Sequence, residues 1–179
     1  MTRSIADLLP GPLKPFASAR FAKFCAVGVS GVAVNAGCLA LLSGALGVHT
    51  NLAAALSIEI SINTNFLINE LWTFRDRRGG SGGPWRRWLR YHAVSVVGAL
   101  IQWSVFVAMN AVVAWILGVD DAGGSVARPG IAAAIAAPAD VGLWIYASQL
   151  AGIAVATLWN FAANLFWTWK HGKGAPERV

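Results

Sequence analysis

Charge is scarce in this sequence. Only 12% of its 179 residues are Asp, Glu, Lys or Arg, whereas 56% are hydrophobic, and the mean hydropathy of +0.57 excludes the hydrated surface of a soluble domain. Cysteine is nearly absent too. Cys25 and Cys38 fall on one predicted helix, about 20 Å apart along its axis, so no disulfide framework joins them. His49, His92 and His171 lie on separate segments without metal-ligand spacing, so no metal site is expected. A G-x-x-x-x-G-K-[ST] loop is missing, so ATP is not expected to drive this chain. No Ser-His-Asp set or acid pair converges, and the chain reads as a non-enzyme without cofactors. Residues 1–20 lack the apolar core of a cleavable leader and carry Pro10, Pro12 and Pro15, which reads as a cytoplasmic tail.

What is present is a set of four apolar runs, 22–46, 51–72, 91–118 and 142–169. Each is long enough for a bilayer core that takes roughly 20 residues per helix. Lipid cannot satisfy backbone polar groups, and the alternating pattern of barrel strands is missing, so the runs predict an all-α integral membrane protein with four transmembrane helices. The cations set its orientation. Thirteen of the fourteen Lys and Arg residues fall in the N-terminal tail or at the very start of the first run, in the loop after the second run or at the C-terminus, and only Arg128 falls elsewhere. That asymmetry predicts both termini in the cytoplasm. The net charge of +6 is thus explained by topology, and no nucleic-acid partner is expected.

The chain also repeats itself. NFLINELWTF at 65–74 returns as NFAANLFWTW at 160–169, and RFAKFCAVG at 20–28 resembles RYHAVSVVG at 90–98. The expected plan is therefore a tail at 1–20, a first hairpin at 21–74, an Arg/Gly-rich cytoplasmic linker at 75–90, a second hairpin at 91–170 with an outer loop at 119–141, and a tail at 171–179. Two hairpins that both start and end inside are parallel repeats. Small residues along the first helix, among them Gly28, Gly31 and Gly37, predict a packing seam.

Polar residues inside the runs are the candidate site. At 100° per residue, Glu59, Asn63, Phe66 and Glu70 share one stripe of the second helix, and Asn65, Asn69 and Trp72 share another about 110° away. Gln149, Asn160, Asn164 and Trp167 form a comparable stripe on the fourth. Asn35 and Gln102 add amides near mid-depth. Amides of this kind either bond neighbouring helices or line a hydrated groove, where their paired donors and acceptors suit sugar hydroxyls. Trp72 and Trp167 also suit the headgroup level. Glu59 lacks a mid-depth Lys or Arg, so it is expected to be protonated or to face water. Glu70 is expected to pair with Arg75 near the cytoplasmic surface. Arg20, Arg75, Arg90 and Lys170, at the four cytoplasmic helix ends, are placed either to hold a lipid phosphate or to snorkel as anchors.

The four-helix layout, the Arg-Phe start with Gly28 and the NFLINELWTF ending resemble the GtrA-like membrane proteins over about residues 18–171. The resemblance implies movement of a polyprenyl-phosphate-linked sugar across the cytoplasmic membrane for cell-wall or surface-polysaccharide glycosylation, beside a membrane glycosyltransferase. It implies roles for Asn65, Asn69, Trp72, Asn160, Asn164 and Trp167. The family's usual arginine after the second asparagine is replaced here by Glu70 and Leu165. Four helices enclose little volume, so a homodimer or a partner is expected to complete the path. Two other readings stand beside this one: a non-transporting anchor for the glycosyltransferase, and a small proton-coupled multidrug exporter.

Overall fold

The computed structural model describes residues 10–79, 82–117 and 141–170. The outer loop up to residue 140, the tail at 171–179 and the first nine residues lie outside the described residues, as does Arg128. A 3-10 segment, Gly11–Ala17, leads into α1, Ala19–Leu39, which continues as a π-helical stretch, Ala40–Ala45. α2 is Thr50–Ile68 with a π-helical end, Asn69–Thr73; α3 is Pro84–Leu117; α4 is Trp144–Ala163 with a second π-helical end, Asn164–Thr168.

Local chemistry sets these ends. Ser18 caps α1, its hydroxyl accepting from Phe21 N at 3.2 Å. Gly47 turns the chain between α1 and α2 at a φ of 65°, a left-handed conformation that glycine adopts without a Cβ clash. Pro84 opens α3, where its missing N–H costs no helical bond.

Three helices are long and apolar enough to cross a membrane among the described residues: Ala19–Ala45, Pro84–Leu117 and Trp144–Thr168. Their large apolar side chains point outward, Val29 and Val32 being 72% and 70% exposed, which suits lipid and not water. α2 forms as a helix where the second apolar run stands, and it and its π-helical end carry Glu59, Asn63, Asn65, Asn69 and Glu70.

The chain divides into two compact units, Met1–Val94 with Phe161–Val179, and Ser95–Asn160. An aromatic core holds the first: Phe24, Phe66, Phe74, Tyr91, Phe161 and Trp169 are all buried. Its contacts are reciprocal between the two repeats. Phe161 packs edge-on against Phe24 at 5.5 Å, while its counterpart Phe66 packs against Tyr91 at 5.6 Å. Phe74 and Trp169, which end the two copies, stack on one another at 4.3 Å. In the second unit a small cluster of Ala114, Val141 and Val113 forms the apolar packing.

Candidate functional site

Small residues decide where the polar side chains go. In the first unit, a Cβ on Gly31 would collide with the carboxamide of Asn65, so the amide fills the notch that glycine leaves. Ser61 donates to the Gly31 carbonyl at 2.7 Å beside it. In the second unit the same notch recurs: a Cβ on Gly98 would collide with the Asn160 carboxamide. Asn65 and Asn160 are therefore each seated against a glycine of the neighbouring helix, and both remain half-buried. Their counterparts Asn69 and Asn164 are each 1% exposed at the start of a π-helical end. In both copies the asparagine carbonyl accepts the i+5 bond that closes this end, from Phe74 N and Trp169 N, each at 2.8 Å. The side chain of Asn69 hydrogen-bonds Tyr91 while its Oδ1 has no partner within the protein, whereas both polar atoms of the Asn164 side chain lack one. Asn164 differs because Phe24 stands where Tyr91 stands in the other repeat.

Those contacts place the repeat in a different register from the match of 20–28 with 90–98. Gly31 and Gly98 play the same part, and a Cβ on Gly28 would meet open space. Three residues are close to one helical turn, so Arg-aromatic and glycine patterns align at both offsets on the same face. The structural register pairs Lys23 with Arg90: Lys23 lies over the Trp72 ring at 5.4 Å, and Arg90 over the Trp167 ring at 5.8 Å. Both indoles remain 49% exposed.

The basic residues at the helix ends are not equivalent. Arg20 forms an ion pair with Asp76 at 2.6 Å. Arg90 also donates to the Trp167 carbonyl at 3.2 Å. Arg75 and Lys170 are exposed. Glu70 does not pair with Arg75; it is buried, and Arg87 reaches it through two bonds of 2.5 and 3.0 Å. Trp169 Nε1 donates to the same carboxylate at 2.7 Å. The chain turns back through the linker after α2, and this brings the start of α3, not residue 75, against Glu70.

Glu59 is not isolated either. Its Oε1 lies 3.2 Å from His92 Nε2 and accepts from Asn63 Nδ2 at 2.7 Å. Asn63 Oδ1 in turn accepts from Trp88 Nε1 at 2.8 Å. The spacing of Trp88 and His92, one turn apart on α3, was the available signal; only the packing of α2 on α3 connects it to Glu59.

Two of the expected groove residues do share a concave site. In the second unit Gln102 of α3 and Gln149 of α4 line an open cleft of about 350 Å³ with Ala99, Trp103 and Phe106. Gly152 lets the two helices approach, since a Cβ there would stand 2.6 Å from the Gln102 carbonyl oxygen. Asn35 is half-buried on α1 and joins none of these groups.

Comparison with known proteins decides the family. The GtrA/DPMS transmembrane domain matches residues 23–169. This chain belongs to the GtrA/DPMS transmembrane-domain family. The match takes in both copies of the repeated ending and the cleft between α3 and α4. A dolichol-phosphate mannosyltransferase of Pyrococcus furiosus is 39% identical over 87 residues, which is 49% of this chain. The chain spans only about a quarter of that relative's length, 24%.

Proposed function

We propose that this protein moves a polyprenyl-phosphate-linked monosaccharide across the cytoplasmic membrane for cell-surface polysaccharide or cell-wall glycosylation, without making or breaking the glycosyl bond. The observation that carries the reading is the cleft that joins Gln102 and Gln149 to Trp103 and Phe106 in a member of this family. Two uncharged amides offer donors and acceptors to sugar hydroxyls, and aromatic faces suit the apolar side of a pyranose ring. The volume falls within the roughly 300–1,000 Å³ of small-molecule sites. The name of the mannosyltransferase relative supports a polyisoprenoid sugar phosphate as the cargo.

In this reading α2 is a fourth span, and both termini face the cytoplasm because the cations gather on that side. Its acids are tolerable in lipid because Glu59 meets His92 and Asn63, and Glu70 meets Arg87. Arg75 and Lys170, both exposed, and Arg90 over Trp167 would receive the phosphate at the cytoplasmic mouth, while the hydrocarbon tail stays in lipid. Gln102 and Gln149 replace the asparagine pairs as sugar contacts, and the asparagines hold the helices. A second copy or the glycosyltransferase itself would complete the path.

The experiment is reconstitution of the purified protein into vesicles with labelled polyprenyl-phosphate sugar in one leaflet. Accelerated appearance in the other leaflet supports the proposal, and a rate equal to empty vesicles overturns it.

A second reading has its own support. The relative is a transferase that this chain matches over a quarter of its length, which supports reading the chain as the membrane anchor of a separate glycosyltransferase. Stimulation of that enzyme without any flipping would favour the anchor.

A further inference from the structure

The hydrogen-bond count at Glu59 and His92 does not close with the protons these groups usually carry. His92 Nδ1 lies 3.0 Å from the Trp88 carbonyl oxygen, one turn back on α3. A carbonyl only accepts, so Nδ1 carries the hydrogen. In a neutral imidazole Nε2 is then a bare acceptor. That nitrogen faces Glu59 Oε1 at 3.2 Å, and a carboxylate is also an acceptor only. Two acceptors do not bond. One more hydrogen must sit between them.

The surroundings cannot supply it. The Asn63 amide is held in one orientation, because Trp88 Nε1 is purely a donor and bonds its Oδ1 at 2.8 Å. Its nitrogen therefore faces Glu59, donating to Oε1 at 2.7 Å and to the Glu59 carbonyl at 2.8 Å. Of the charged groups on the adjoining helices, Arg86 is exposed at the start of α3 and the others are engaged with other partners. On α2 and α3, Glu70 and Arg87 bond each other, and Arg90 meets Trp167. On α1, Arg20 pairs with Asp76 and Lys23 lies over Trp72.

We propose that Glu59 and His92 form a one-proton binding site that ties α2 to α3. Adding the proton changes no other covalent bond: it resides on Nε2 against a carboxylate, or on the carboxyl group against a bare Nε2. Either form bonds across the 3.2 Å gap. The Trp88 ring lies 4.0 Å from the imidazole. Glu59 is 54% exposed, so the proton can exchange. Its release leaves two lone pairs facing, and of the two side-chain links at this point only Trp88 to Asn63 survives. The α2–α3 joint then loosens. The cargo plays no part in the argument, so the site and the flipping reading stand or fall separately.

Histidine and glutamate labelling of the full protein in lipid nanodiscs tests it by NMR, with no sugar lipid present. His92 is expected to keep its hydrogen on Nδ1 throughout the titration. Nε2 of His92 and the Glu59 carboxyl carbon are expected to change together, with one shared midpoint. In Glu59→Gln, the His92 midpoint is expected to move. A neutral His92 with its hydrogen on Nε2 overturns the proposal, as do two unrelated midpoints or an unmoved midpoint in the variant. The first two readouts come from the unaltered protein, so a poorly folding variant does not block the test.

Discussion

Trp169 lies flat on Phe74, rings 4.3 Å apart and 6° from parallel, while its indole N–H reaches across to Glu70 at 2.7 Å. One residue thus joins the last turn of the second repeat both to the aromatic that ends the first and to its buried acid. The pair of Glu70 with Arg87 is 10% and 5% exposed, that of Asp76 with Arg20 is 47% and 24%. Removing one partner of a buried pair leaves a stranded charge, at about 3–5 kcal/mol, whereas an exposed pair contributes about 0–1 kcal/mol. Glu70→Gln is expected to lower the unfolding temperature in detergent sharply, and Asp76→Asn only slightly.

Helix approach in the second unit depends on Gly152. A methyl group there meets the Gln102 backbone oxygen, which cannot rotate away, while one on Gly28 or Gly37 meets nothing. Overpacking of this kind costs about 1–3 kcal/mol. Thermal unfolding should therefore rank Gly152→Ala well below the parent, and Gly28→Ala and Gly37→Ala beside it.

The two second asparagines should respond in opposite ways. Asn69→Leu strips the Tyr91 hydroxyl of its partner and is expected to cost about 1–3 kcal/mol. Asn164→Leu removes a buried amide whose atoms have no partner within the protein, so stability is expected to hold or rise. Parallel melting curves of the two variants check the contrast.

For the cleft, Gln102→Leu and Gln149→Leu are each expected to slow flipping about five-fold, the equivalent of one neutral hydrogen bond of about 1 kcal/mol. The unfolding temperature should stay put. Vesicle flipping rates and melting curves, measured on the same preparations, check both statements. A flipping rate unchanged in the double variant would remove the cleft from the mechanism.

Much of the architecture was legible in the residues. The apolar runs located the helices, and the duplicated Asn-Phe-x-x-Asn ending marked two equivalent helix ends, whose π-helical form only the structure shows. The groove was read less well. Sorting residues by face put Asn65, Asn69, Asn160 and Asn164 on stripes, but a stripe does not say what stands opposite. Opposite Asn65 and Asn160 stand glycines, which seat each carboxamide against the neighbouring helix. Gln102 and Gln149 emerged as cleft partners, with Trp103 and Phe106 beside them unforeseen. His92, set aside for want of metal spacing, turned out to face Glu59.

The amino-acid order alone determined that this chain is helical and lives in a membrane, because long apolar runs have no other way to satisfy their backbone, and it determined that the polar pattern occurs twice. The tertiary structure decided every pairing of those polar groups: Glu70 with Arg87, Glu59 with His92, Asn65 with Gly31, Gln102 with Gln149. A helix sequence fixes the angle at which each side chain leaves its own axis. The slide and rotation of the neighbouring helix are set by packing across the contact, and a shift of one turn exchanges one partner for another while leaving the face pattern unchanged.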